Sequence, residues 1–142
     1  MLLLTGEDLK EAFERAISTL DDVDKALTEN ELSDLADLLM SVGRIKHNGT
    51  YEAIATAIYS FLYELQSFNL ALSSVPALRK DLTPKLNEII NRVRQHLITI
   101  KKELFVKTPD YRKILESVGE IFFEYHTLGR MRSTYSPPVG QR

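Results

Sequence analysis

The chain reads as an all-α protein, an antiparallel up-and-down bundle of about five helices with an extended C-terminal tail. Three observations predict it. Apolar residues recur every three to four positions through most of its 142 residues, the period of a helix with one buried face. No stretch shows the alternating pattern of a half-buried strand. Helix-start signals punctuate the chain, and the connections between stripes, such as "KHNG" and "KT", are short enough to turn one helix back against the next.

Thr5 and Thr28 are read as N-caps, each with an acid three residues on, Asp8 and Glu31, to complete a capping box. Leu4 with Leu9, and Leu27 with Leu32, have the spacing of a hydrophobic staple. Thr50 caps a third helix. Thr83-Pro84 and Thr108-Pro109 put proline at the first helical position, where its missing N–H costs nothing. The expected helices span about 6–26, 29–46, 51–73, 84–106 and 109–128.

The stripes follow in order. Leu9, Phe13, Ala16, Leu20, Val23 and Leu27 mark the first helix; Leu32, Leu35 and Leu39 the second; Ile54, Ile58, Phe61, Leu65, Phe68 and Leu72 the third. Leu86, Ile90, Val93, Leu97, Ile100 and Leu104 mark the fourth, and Tyr111, Ile114, Val118, Ile121, Tyr125 and Leu128 the fifth. Phe61, Leu65, Val93, Leu97, Val118 and Phe122 are the expected core centre. Tyr59, Leu62, Tyr63, Ile89, Ile98, Phe122 and Phe123 broaden the last three stripes, as core covered on two sides or as an apolar patch for a second copy or another protein. Residues 1–129 form one domain on this reading. The segment "RMRSTYSPPVGQR", 130–142, leaves it as an extended or disordered tail, because Pro137-Pro138 cannot continue a helix.

Composition removes several classes of function. There is no cysteine, which excludes disulfides, thiolate metal sites and cysteine nucleophiles. "MLLL" lacks a signal peptide's basic start and runs into the acidic "EDLKEAFE", and no run is long enough to span a membrane, so a soluble cytoplasmic protein is expected. The residues three before His47, His96 and His126 are Arg44, Val93 and Phe123, so no Glu-x-x-His pair for a di-iron bundle exists. The glycines form no phosphate loop.

Four carboxylates have metal-site spacing: Glu11 and Glu14, then Glu31 and Asp34 after sixteen intervening residues. The pattern resembles the Mg²⁺-binding motif of the all-α nucleotide pyrophosphohydrolases of the MazG type, and the resemblance implies a Mg-dependent hydrolase with these four as ligands. Helical geometry weighs against convergence. At 100° per residue Glu11 points almost opposite its helix's apolar stripe, Glu14 lies outside it, and Asp34 falls about 110° off the stripe of its own helix. On the residues alone no metal, cofactor or catalytic group is expected.

Charge is distributed unevenly. Residues 1–72 hold five Lys/Arg against thirteen Asp/Glu, net −8, while residues 73–142 hold thirteen against seven, net +6. The halves can pair within one molecule, meet between molecules, or place the basic half on a nucleic-acid backbone. The residues expected at a partner or nucleic-acid contact are Arg79, Lys80, Lys85, Arg92, Arg94, Lys101, Lys102, Arg112 and Lys113, with Arg130, Arg132 and Tyr135 from the tail. Asp81, Glu88, Glu103 and Asp110 lie among them and would repel phosphate. The reading favoured is a non-enzymatic protein-interaction subunit or adaptor of a larger assembly, whose partners are other protein subunits or itself. A nucleic-acid-binding accessory subunit comes second and the hydrolase third.

Overall fold

The computed structural model describes residues 6–135, and among them every regular element is a helix. There are six: α1 (Gly6–Thr19), α2 (Val23–Thr28), α3 (Glu31–Lys46), α4 (Gly49–Leu72), α5 (Pro76–Leu104) and α6 (Tyr111–Tyr135). The expected first helix is broken in two. Thr19 ends α1 with its hydroxyl turned back to the carbonyl of Ala16 at 2.7 Å, and Asp22 starts α2 by accepting from the Lys25 N–H at 2.8 Å. An Asp cap satisfies one of the donors a helix start leaves free.

Several caps differ from expectation for similar reasons. Thr28 is the last residue of α2, with its hydroxyl on the Asp24 carbonyl, so Glu31 has no capping box to complete. Asn48, not Thr50, caps α4; its side-chain oxygen accepts from the Thr50 N–H at 3.0 Å. Asp110 performs the same role for α6, accepting from the Lys113 N–H at 3.3 Å, and Pro109 precedes it. The largest shift is in α5, which starts at Pro76 and carries Pro84 in its interior. "SSVP" and "LTP" offer the same first-turn signal, and Leu82, buried between them, draws the earlier turns onto the core. The carbonyl deprived of the Pro84 donor belongs to exposed Lys80, where water can take its place. Thr5 and Leu4 lie outside the described residues.

α6 also runs further than the sequence suggested. Residues 130–135, expected to leave the bundle, are its last turns: Met131 is buried and continues the stripe of Ile121 and Leu128, and Arg132 pairs with a carboxylate on α4. Pro137 and Pro138 lie outside the described residues. Of the broadening residues, Leu62 and Ile89 are buried, Tyr59, Ile98 and Phe122 half-buried, and Tyr63 and Phe123 exposed, so the wide stripes are core in part and leave two aromatic rings at the surface. Phe122 is thus the one expected core centre that is not fully enclosed.

The five long helices close a ring. α1 packs on α3, α3 on α4, α4 on α6, α6 on α5, and α5 back on α1, while short α2 tucks against α5. Phe13, Leu35, Ile54, Phe61, Leu65, Ile90, Leu97, Ile114, Ile121 and Leu128 fill the single core inside it. Consecutive long helices turn back on one another, as expected from the short connections: the end of α1 meets the start of α3 at Arg15–Glu31, α3 and α4 are joined by two residues, and Glu103–Lys113 and Arg92–Glu124 pair α5 with α6 in opposite order. α4 and α6 are different: Tyr51 is near Tyr111, and Glu64 meets Arg132, so these neighbours run parallel. α6 has slotted between α4 and α5. Gly43 lets α3 and α4 approach at their turn, because a Cβ there would lie 2.8 Å from Glu52 Cγ and 3.1 Å from two backbone atoms.

Candidate interaction surface

Two glutamates are buried in this apolar bundle, Glu64 on α4 and Glu124 on α6. Both sit at an i+3 position within an apolar stripe, Phe61-Glu64-Phe68 and Ile121-Glu124-Leu128, so helix geometry turns each inward. A buried carboxylate is costly unless paired and hydrogen-bonded. Each is met by a two-pronged guanidinium: Arg92 Nε and Nη2 reach Glu124 at 2.7 and 3.0 Å, and Arg132 Nε and Nη2 reach Glu64 at 2.6 and 3.4 Å. Hydrogen bonding to the carboxylates holds both arginines above the ordinary guanidinium range. The forks fasten α6 on both flanks, to α5 through Glu124 and to α4 through Glu64. The Glu64 carboxylate lies beside Gly129 at the floor of a shallow cleft of about 480 Å³ lined also by Tyr125 and His126.

Other residues expected at a partner contact are occupied within the molecule. Arg79 joins α5 to α2 and α4, with Nη2 on Asp24 and Nε on Asn69, both at 2.8 Å. Lys101 reaches Glu14 of α1 at 3.1 Å. Three ion pairs, Asp24–Arg79, Glu14–Lys101 and Glu64–Arg132, therefore join the acidic half to the basic half. Arg112 pairs with Glu116 one turn on, and Lys113 lies 4.0 Å from Glu103. Arg94 is half-buried, with its Nε enclosed and without a hydrogen-bond partner. Lys80, Lys85 and Lys102 are exposed, and Tyr135 ends the last described turn.

Three of the four carboxylates of the metal motif are met by basic side chains. Arg15 lies 3.9 Å from Glu11 and 3.3 Å from Glu31, Glu14 faces Lys101, and Asp34 is exposed on α3. Among the described residues no three acidic or histidine side chains gather as a metal ion would need. His47 serves the backbone: it ends α3 in the left-handed region at φ 50°.

Opposite its forks, α6 presents a different surface. Leu115 is 47% exposed and Phe123 55% exposed, at i and i+8, with Gly119 midway between them. A Cβ on Gly119 would find no atom within 4 Å, so an open notch separates two large apolar side chains. Arg112 and Arg130 stand at the two ends, and the Arg130 guanidinium lies 5.8 Å from the centre of the Phe123 ring. Sequence reading singled out Phe123 and the arginines but not Leu115 or Gly119. Their signal was a second, sparser period of four on the side of α6 away from Ile114, Val118 and Ile121.

Comparison with protein-family models, with curated proteins and with solved structures finds no match to the chain.

Proposed function

We propose that the chain is a non-enzymatic helical interaction subunit that binds protein through the outer face of α6. The observation that carries this reading is the pair Leu115 and Phe123, exposed on either side of an empty glycine notch. An aromatic anchor beside a notch is what a packed protein contact uses, and a helix clamped on both flanks loses little freedom on binding. Enzyme chemistry finds less support: each buried glutamate is neutralised by two hydrogen bonds from its own arginine, a structural arrangement. Nucleic acid is also the weaker partner. Arg79, Arg92, Lys101 and Arg132 are engaged with carboxylates, while exposed Lys80 and Lys85 point about 140° apart around α5.

A photo-crosslinking residue at position 123 tests the reading in the cells that make the protein. A discrete protein adduct is expected at 123 and none at exposed Gln95 on α5. Absence of any protein adduct at 123 overturns it.

A further inference from the structure

We propose that the cleft between α4 and α6 receives a small phosphate monoester, its phosphate held by Arg132, Arg130 and Ser133 and the rest of the molecule lying against Tyr125 and His126. Such a ligand is independent of the protein contact on the outer face of α6. The cleft, about 480 Å³, has the volume of a small-molecule site. His126, Gly129, Arg130 and Ser133 line it from one arc of α6 about 100° wide. Gly129 adds no side chain to fill it, and a Cβ there would meet nothing within 4 Å but the Glu64 carboxyl group.

The two forks on α6 differ in what else surrounds the arginine. A guanidinium has five N–H donors, and the edge that Arg132 turns to Glu64 uses one on Nε and one on Nη2. Three remain, directed away from that carboxylate, on a side chain that is almost half exposed. Arg92 meets Glu124 by the same edge, but it is raised by its hydrogen bond to Glu124 and then by the charges of both Glu124 and Glu88, so a second acid stands by. Arg132 lacks one. After the hydrogen bond and charge of Glu64, the groups that raise it are Tyr63 and Tyr125, and Glu64 is the one acid among the described residues lining the cleft. Arg130 brings a second guanidinium, whose hydrogen bond runs only from Nη2 to Thr127. The Thr127 and Thr134 hydroxyls turn back to carbonyls of their own helix, whereas among the described residues the Ser133 hydroxyl is not bonded in this way. Two guanidinium charges and a hydroxyl therefore gather around one carboxylate that is already answered. That excess suits a group with about −1.5 to −2 charge and three acceptor oxygens, a phosphate monoester. Glu64 fixes the direction of Arg132 beforehand, so less freedom is lost on binding. One turn nearer the start of α6, the Tyr125 and His126 rings, 4.9 Å apart, offer a surface to a flat organic group.

Phenyl phosphate is the probe, titrated at constant ionic strength with backbone amide chemical shifts as the readout. One-to-one binding with Kd below about 1 mM is expected, the shifts centred on Gly129, Arg130 and Ser133. Inorganic phosphate should move the same amides with about tenfold weaker affinity, and phenol should leave them in place. Arg132 also secures the fold, so exposed Arg130 carries the mutational test. Arg130→Gln should weaken phenyl phosphate about tenfold with unchanged circular dichroism, while Arg112→Gln, at the other end of α6, should bind like wild type. The proposal is overturned by no saturable binding of phenyl phosphate up to about 10 mM, by shifts confined to residues away from the cleft, or by an Arg130→Gln variant that binds like wild type. Phenol or inorganic phosphate binding as tightly as the monoester would overturn it as well.

Discussion

Arg132, in the last turns of α6, holds the buried carboxylate of Glu64 in the middle of α4 by two nitrogens, the shorter contact being 2.6 Å. The two partners are not equivalent. Glu64 is nearly sealed from water, whereas Arg132 keeps almost half its side chain exposed. Removing the arginine strands a buried negative charge, but removing the glutamate leaves an arginine that water can still serve. Arg132→Met should cost about 1–3 kcal/mol, and Arg132→Met combined with Glu64→Met should cost less than Arg132→Met alone. Urea unfolding of the three proteins checks the order.

Phe61 is enclosed at the centre of the ring. Phe61→Ala should destabilise by about 3–5 kcal/mol, through lost burial and the cavity left behind. The same unfolding experiment measures it, and a loss below about 1 kcal/mol would contradict its buried position.

Two helical glycines should respond with opposite signs to alanine. Gly119 has open space where the methyl would go, so Gly119→Ala should stabilise by about 0.5–1 kcal/mol through helix propensity. Gly43 has backbone at 3.1 Å on the path of the new methyl, and Gly43→Ala should cost about 1–3 kcal/mol by forcing α3 and α4 apart. Thermal melts compare the two.

Alkaline stability should depend on Tyr59. Its hydroxyl donates to Asp37, and its pKa is pushed up to about 12, first by burial and then by that hydrogen bond and the Asp37 charge. Because the folded value lies above the ordinary 10.0, its contribution is intact below pH 10 and is lost as pH rises from 10 through 12. Tyr51, raised by burial, adds in the same direction. Tyr59→Phe should flatten, without removing, the fall in stability across that window.

With Mg²⁺ present, no hydrolysis of nucleoside triphosphates is expected, since Glu14 faces Lys101 and Glu11 and Glu31 share Arg15. A phosphate-release assay decides. Turnover abolished by both Glu14→Gln and Asp34→Asn would revive the hydrolase reading.

The all-helical class and most of the core were legible because they depend on the period of apolar residues, which persists whatever the tertiary detail. Val93, Leu97 and Val118 are buried where their stripes put them. Caps were less legible, because the chain offers more of them than it uses. Asp22 caps a helix where the first stripe reads as continuous, Asn48 competes with Thr50, and Pro76 with Pro84; packing of Val23 and Leu82 decides where local signals alone do not. The candidate surface was half legible. Phe123, Arg112 and Arg130 stood out as chemistry, whereas Gly119 matters only through the emptiness around it. The forks were visible in part: a glutamate at i+3 inside an apolar stripe announces a buried carboxylate, but that Arg92 and Arg132 answer it depends on which helices become neighbours.

The parallel contact of α4 with α6 imposes an order of assembly. α3 and α4 can zip together across a two-residue connection, but Glu64 and Arg132 are 68 residues apart, and α5 must first cross the bundle. α6 is therefore the wall that closes last. On a translating ribosome, α1 to α5 are made while the seam between α4 and α5 still has no occupant, and the apolar side chains beneath Ile114, Ile121 and Leu128 face water until α6 emerges. A released chain cut short near Asp110 is a ring with one stave missing, and that is the fragment in which a chaperone would find most to hold.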